Sequence, residues 1–242
     1  MNKNLKNLLV DCIIYLIFIV GIAFLYKSAF YSNLFAIVLL IITFSFFKDK
    51  EDFIFFIVGW ILATTAEILS VHFKVWTYAY PHILGIPIWL SLGWAYSFLF
   101  LRRLRDSWYK LEHIKIHYTK HPNGLKNIII YDILTYILAL LCILILWKNN
   151  LLLTLILGLL LLAHTIKFHS KEDLFLVIAA TITYTIIDMC ITNVGVWTYS
   201  NTNFLTITTW LPFSYGIIAA IVRRISVSIN LLMFNSQKNE PF

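Results

Sequence analysis

The chain has 242 residues and a net charge of +7, with 60% hydrophobic and 13% charged residues. Soluble domains hold roughly 45–50% apolar and 25% charged residues, so a water-soluble globular fold is excluded and the bilayer is the solvent to reason with. The surplus of lysine and arginine then reads as topology and contact with anionic lipid, and no nucleic-acid partner is expected.

Apolar runs follow one another at 8–26, 33–47, 53–73, 86–101, 128–147, 151–166, 174–192 and 205–222. A spanning helix needs about 20 residues at 1.5 Å each, so the pattern predicts an all-α, polytopic membrane protein with eight transmembrane helices. The first run follows Lys3 and Lys6. It exceeds the roughly 7–15 residues of a signal-peptide core and is expected to be a span. The eighth holds Pro212, Thr206, Thr208 and Thr209. Cys12, Cys142 and Cys190 all fall inside predicted spans, which implies no disulfide framework. With eight spans, 16 of the 19 lysines and arginines lie on one side and only Lys27, Lys74 and Lys148 on the other. That asymmetry predicts a multi-pass protein of the cell membrane with both termini cytoplasmic.

In chain order, Asp11 sits about a turn inside the start of the first span. It lies at the depth where Arg102 and Arg103 end the fourth, and an ion pair is the simplest reading. Glu51 and Asp52 open the third span, where negative charge complements a helix N-terminus. Glu67 lies in the outer third of that span with Thr64 one turn earlier on the same face. A buried carboxyl is costly and usually signals a partner or a role, so Glu67 is a candidate proton donor or a helix-packing hydrogen-bonding group. Val75-Trp76-Thr77-Tyr78 follows at the outer interface, then Pro81, Gly85 and Pro87, which predict a folded loop returning to Trp89 and Trp94. The linker "LRRLRDSWYKLEHIKIHYTKHPNGLKN" reads as an amphipathic helix on the inner surface. Its His113, His117 and His121 recur at helical spacing but have no carboxylate or cysteine beside them, and no metal site or cofactor is expected.

The second half repeats the first. Sliding the chain by 121 residues without a gap aligns residues 50–104 with 171–225 at 16 identities in 55 positions. The tetrapeptide VWTY returns as Val196-Trp197-Thr198-Tyr199, Trp89 meets Trp210, and Arg102-Arg103 meets Arg223-Arg224. Glu67 falls on Asp188, Thr64 on Thr185, Asp11 on Asp132, and Glu51-Asp52 on Glu172-Asp173, with Ser170 at capping-box spacing. The register predicts two parallel four-helix repeats, 1–121 with its linker helix and 122–242 with a C-terminal interfacial segment at 225–234.

An acidic residue near a span end, a short gap, Gly-Val-Trp-Thr-Tyr and a return helix, as in Asp188 to Trp210, resembles the membrane-embedded lycopene cyclase domains. Glu67 to Trp94 with "LGIPIWLSLGW" is similar to carotenoid-biosynthesis membrane proteins of the hydratase type. The resemblance implies acid-base chemistry on isoprenoid double bonds, with Glu67 and Asp188 catalytic and aromatic faces stabilising a carbocation. Thr64, Trp76, Tyr78, Trp89, Trp94, Thr185, Trp197, Tyr199 and Trp210 are then candidates to line the substrate site. The Pro-x-Glu-Glu motif of the cyclases is replaced by "IPIWLS" and "LPFSYG".

Three readings stand at this point. The chain is an isoprenoid- or lipid-modifying enzyme, a non-enzymatic lipid-binding or transport protein, or a structural subunit of a membrane complex with a membrane-protein partner. The absence of a nucleotide-binding loop, HExxH and GxSxG leaves ATP-driven transport, zinc proteolysis and serine hydrolysis without support.

Overall fold

The computed structural model describes residues 3–46, 50–111, 124–168 and 170–234. The helices among them are α1 (Lys3–Leu25), α2 (Ala29–Phe46), α3 (Lys50–His72), α4 (Ile88–Leu111), α5 (Leu125–Leu146), α6 (Asn150–Phe168), α7 (Lys171–Val194) and α8 (Leu211–Phe234). Two short strands, β1 (Trp76–Tyr78) and β2 (Trp197–Tyr199), pair antiparallel. The fold is all-α, with one addition that periodicity did not reveal: the two VWTY segments are the strands.

Six helices are long and apolar enough to cross a membrane, at Leu8–Leu25, Lys50–His72, Leu125–Leu146, Asn150–Phe168, Lys171–Val194 and Leu211–Met233. The other two depart from the eight expected spans for physical reasons. In α2 the apolar stretch Ala29–Ser45 is shorter. In α4 the apolar half gives way to Arg102, Arg103, Arg105, Asp106 and Lys110 without a break in the helix. Likewise α8 starts at Leu211, with Pro212 in its first turn where a missing N–H costs nothing, and runs on past Arg223 and Arg224 to Phe234. Residues 225–234, read as an interfacial segment, therefore continue α8, and Arg102–Leu111 of the expected linker helix continue α4. Residues 112–123 of that linker, with its three histidines, lie outside the described residues, and its last three residues open α5.

The centre of the molecule is made by α4 and α8. α8 packs on α7, α5, α3 and α6, and α4 on α3, α1, α2 and α7. Inside the bundle, 61% of the α8 span is buried, against 17% for α6, which places α6 at the periphery. Gly59 permits the α3–α4 approach: a Cβ there would come within 2.6 Å of Phe98. Outward-facing Leu16, Leu134, Leu141, Leu159, Ile182 and Ile186 remain 48–66% exposed, the apolar surface a bilayer covers.

The ends of α3 and α7 position the strands. α7 is capped by Ser170, whose Oγ accepts from the Asp173 N–H, and stops at Gly195, which takes the left-handed conformation at φ 82°. At the corresponding place after α3 stands Lys74, left-handed at φ 60° without glycine's freedom. Each chain then enters its strand. Beyond the strands, Ile83 pairs with Ile86 and Phe204 with Ile207 around tight turns, with Leu84 and Leu205 both at positive φ. The folded loop expected from Pro81, Gly85 and Pro87 is the first of these turns.

Candidate functional site

In an extended strand, residues two apart share a face. Trp76 and Tyr78 therefore point inward together while Thr77 points out, and both reach the carboxyl of Glu67. Trp76 Nε1 donates to Glu67 Oε2 at 2.8 Å and the Tyr78 hydroxyl to the same oxygen at 2.5 Å. Trp94 of α4 donates to Oε1 at 2.7 Å. Glu67 is 6% exposed and Asp188 2%. At Asp188 the Tyr199 hydroxyl donates to Oδ2 at 2.5 Å and the Tyr215 hydroxyl at 2.6 Å. Burial, followed by the charge of the facing carboxyl, pushes the Tyr78 and Tyr199 phenols well above the ordinary tyrosine range, so both remain O–H donors.

The strand register ties the two carboxyl sites together. Trp76 pairs with Tyr199, Thr77 with Thr198 and Tyr78 with Trp197. Each indole meets the opposite phenol edge-to-face, at centroid distances of 5.6 and 5.7 Å. The central pair is Thr77 facing Thr198, with hydroxyls 3.2 Å apart. The residues offset by 121 from Trp76 and Tyr199, namely Trp197 and Tyr78, also pair, so the register is self-complementary.

Two clefts lie below the strands. One, of about 90 Å³, is enclosed by α3, α5 and α8 and lined by Glu67, Ser70, Trp76, Tyr136, Tyr199 and Trp210 among others. The other, of about 50 Å³, lies between α1, α4 and α7, with Tyr15, Phe18, Trp89, Tyr184, Asp188 and Trp197 in its wall. Trp94 borders both. In the larger cleft the Ser70 hydroxyl is buried, the residue being 1% exposed, and has no hydrogen-bond partner among the described residues.

At the far end of the bundle the charges neutralise one another. Asp132 is fully buried and receives Arg224 through Nη2 at 2.8 Å and Nε at 3.1 Å. Asp11 lies 3.5 Å from Arg103. Asp52 and Asp173 have the larger share. Asp52 pairs with Arg102 and, at 2.8 Å, with Arg103. Asp173 pairs with Arg223 at 2.6 Å and Arg224 at 3.3 Å. Both aspartates stand in the first turn of their helices, as expected, and add a buried ion pairing that was not expected; the signal was the spacing of 50 residues from Asp52 to Arg102 and from Asp173 to Arg223. His164 joins Asp132 at 3.2 Å and also contacts Arg224, a role that a lone histidine in an apolar run did not announce.

The candidate residues thus sort by position. Glu67, Trp76, Tyr199 and Trp210 border the larger cleft, while Asp188, Trp89 and Trp197 border the smaller. Tyr78 bonds Glu67 without lining either. Thr64 and Thr185 lie off both linings with hydroxyls unpartnered, because three residues of a helix turn through about 300° and carry them past the cavity wall. Sequence reasoning missed Ser70, Tyr215 and Asn150, whose Oδ1 accepts from Trp210 Nε1 at 3.1 Å.

No described protein family matches the chain, and no curated protein matches it. Two crystal structures are similar in fold. One is of MvINS, a mycobacterial Insig homologue from Mycobacterium vanbaalenii, and the other is of a cross-linked MvINS trimer. Each has a TM-score of 0.59 at 14% sequence identity and covers 75% of this chain and 96% of MvINS. The chain has an Insig-like membrane fold. This overturns the resemblance to lycopene cyclase and carotenoid-biosynthesis proteins. The acid and the aromatic tetrapeptide that carried it are hydrogen-bonding partners of one another, so their co-occurrence reflects packing. The expectation of isoprenoid chemistry rested on that resemblance and falls with it.

Proposed function

We propose that this chain is a non-enzymatic membrane protein that holds a lipid in the cleft between α3, α5 and α8. The observation that carries the reading is the unpartnered Ser70 hydroxyl in an otherwise apolar cavity, beside a carboxyl whose oxygens are already engaged. An acid catalyst must give up a proton to a substrate. Glu67 instead receives three donors, and two of them are indoles with no lone pair to take a proton in return. That arrangement makes Glu67 an anchor for β1 and α4. The cleft lining offers no cationic side chain to a phosphate or carboxylate headgroup, and Ser70 suits an uncharged hydroxyl or ester oxygen. The occupant is therefore a lipid with an apolar chain and a neutral polar end.

The architecture fits this reading as two parallel four-helix units, 1–121 and 122–242, about a pseudo-two-fold axis through Thr77 and Thr198. Equivalent elements start at a constant offset of 121, α3 with α7 and β1 with β2, and the strand register is self-complementary. With the arginine-rich ends on the cytoplasmic side, the strands and the polar end of the cleft face outward. Extraction of the purified protein followed by mass spectrometry should release a neutral lipid at about one per chain. Ala66→Leu, which fills the cleft wall, should lose it. An unchanged lipid complement in that variant would reject the site.

A further inference from the structure

Adding 121 to the residue numbers of the smaller cleft reproduces the wall of the larger one. Tyr15 becomes Tyr136, Trp89 becomes Trp210, Asp188 corresponds to Glu67 and Trp197 to Trp76. The molecule therefore carries two versions of one cleft. Each is assembled across the halves of the chain, with a carboxyl from one half and the first and fourth helices of the other. Their sizes differ, about 90 against 50 Å³, and three wall positions account for it in the same sense: Ala63 against Tyr184, Ala66 against Ile187, and Ala139 against Phe18.

The large residues are seated as a plug. A Cβ on Gly93 would lie 2.9 Å from the tip of Phe18, so the phenyl ring occupies the space that a side chain would take, whereas the mate of Gly93 is Ser214 facing Ala139. The Tyr184 ring packs edge-on against Trp94 at 5.4 Å and Tyr215 at 5.5 Å. The polar feature differs as well: Ser70 has Ile191 as its mate, so the smaller cleft lacks that hydroxyl. The unpartnered indole of Trp89 has a separate origin. Its mate Trp210 donates to Asn150, and the residue in the place of Asn150 is Ala29.

We infer that the two halves have taken different roles: the α3–α5–α8 cleft is the single lipid site, its chain channel cut by Ala63, Ala66 and Ala139, while the α1–α4–α7 cleft is the same site closed by Phe18, Tyr184 and Ile187. This rests on the lipid-binding reading above and assigns its stoichiometry and its selectivity residues. The large residues are interchangeable with the alanines in principle, because both sets stand on the same backbone frame.

The test uses the full chain in lipid nanodiscs and a long-chain alcohol bearing a diazirine, with intact-mass and peptide mapping. The native protein takes one saturable label, on peptides of α3, α5 or α8. The double variant Ala66→Ile/Ala139→Phe, which copies the closed cleft, loses about tenfold in labelling. Phe18→Ala/Tyr184→Ala gains a second label on α1 or α7, and Tyr184→Ala alone gains it in part should the pair fail to fold. A native protein with no saturable label overturns the lipid reading itself. Two native labels, or one on α1 or α7, overturn the asymmetry while leaving lipid binding intact. Undiminished labelling in the closed-cleft variant, or no gain in a folded opened variant, overturns the assignment of the plug.

Discussion

Replacing Glu67 by glutamine preserves shape and removes the charge, and the geometry sets what that should cost. Oε2 accepts from Trp76 and Tyr78 and Oε1 from Trp94. An amide placed with its nitrogen toward Trp94 sets donor against donor; turned the other way, it does the same to Trp76. Either orientation leaves one indole without an acceptor, about 1–3 kcal/mol for a buried donor. The remaining bonds fall from charge-assisted to neutral, about 1 kcal/mol each. Relief from burying a charge offsets part of this, so the net loss is about 2–4 kcal/mol. Asp188 differs in that both phenols converge on Oδ2, with the Trp197 indole its weaker third donor. An asparagine carbonyl at that position accepts both, and Asp188→Asn should cost about 1–2 kcal/mol. Reversible unfolding in bicelles, followed by the fluorescence of Trp76 and Trp94, measures both. A Glu67→Gln protein within about 0.5 kcal/mol of native, or one less affected than Asp188→Asn, would refute the anchoring argument.

Asp132→Asn should lower stability by about 3–5 kcal/mol, since it strips the closer partner from buried Arg224, while Asp11→Asn should cost less because Arg103 keeps Asp52. Equal losses in denaturant unfolding would contradict that ranking. Lys74→Gly relieves a left-handed residue at φ 60° and should raise stability by about 1 kcal/mol, the αL penalty less the added chain entropy. Thr64→Val and Thr185→Val remove buried hydroxyls that have no partner and should be neutral or stabilising by up to about 1 kcal/mol. A loss above that in either threonine variant would mean the hydroxyl has a bound partner.

What the sequence revealed and what it concealed follow from the range over which each force acts. Membrane residence is a bulk property of composition, and the 121-residue offset needs only identity in register, so both were legible. The pairing of Asp11 and Asp132 with arginines was legible from depth alone. The extent of α4 and α8 was not: hydropathy stops at Arg102 and Arg223, whereas a helix whose arginines meet Asp52 and Asp173 continues. Interfacial tryptophan and tyrosine explained the composition of VWTY but not its pairing, because strand register is a contact between residues 121 apart. The clefts were the least legible, since Ala63, Ala66 and Ala139 carry no chemistry and matter only by what they leave empty.

That difference also separates the positions that keep their residues at the 121-residue offset from those that do not. Thr77 touches its own mate across the strand pair, and Trp76 and Tyr78 touch each other's, so a change in one strand is felt at once by the other: a smaller residue at Trp76 unseats Tyr199 as well as Glu67. Contacts between the two strands constrain both together. The clefts share only Trp94 and Tyr215. Each has its own wall residues at the positions that set its volume, and Phe18 never meets Ala139. One cleft can close without disturbing the other, as long as the strand lock above them keeps both carboxyls in place. A chain built this way retains its shared latch and is free to specialise its two cavities, and it carries VWTY twice with the alanines in only one of them.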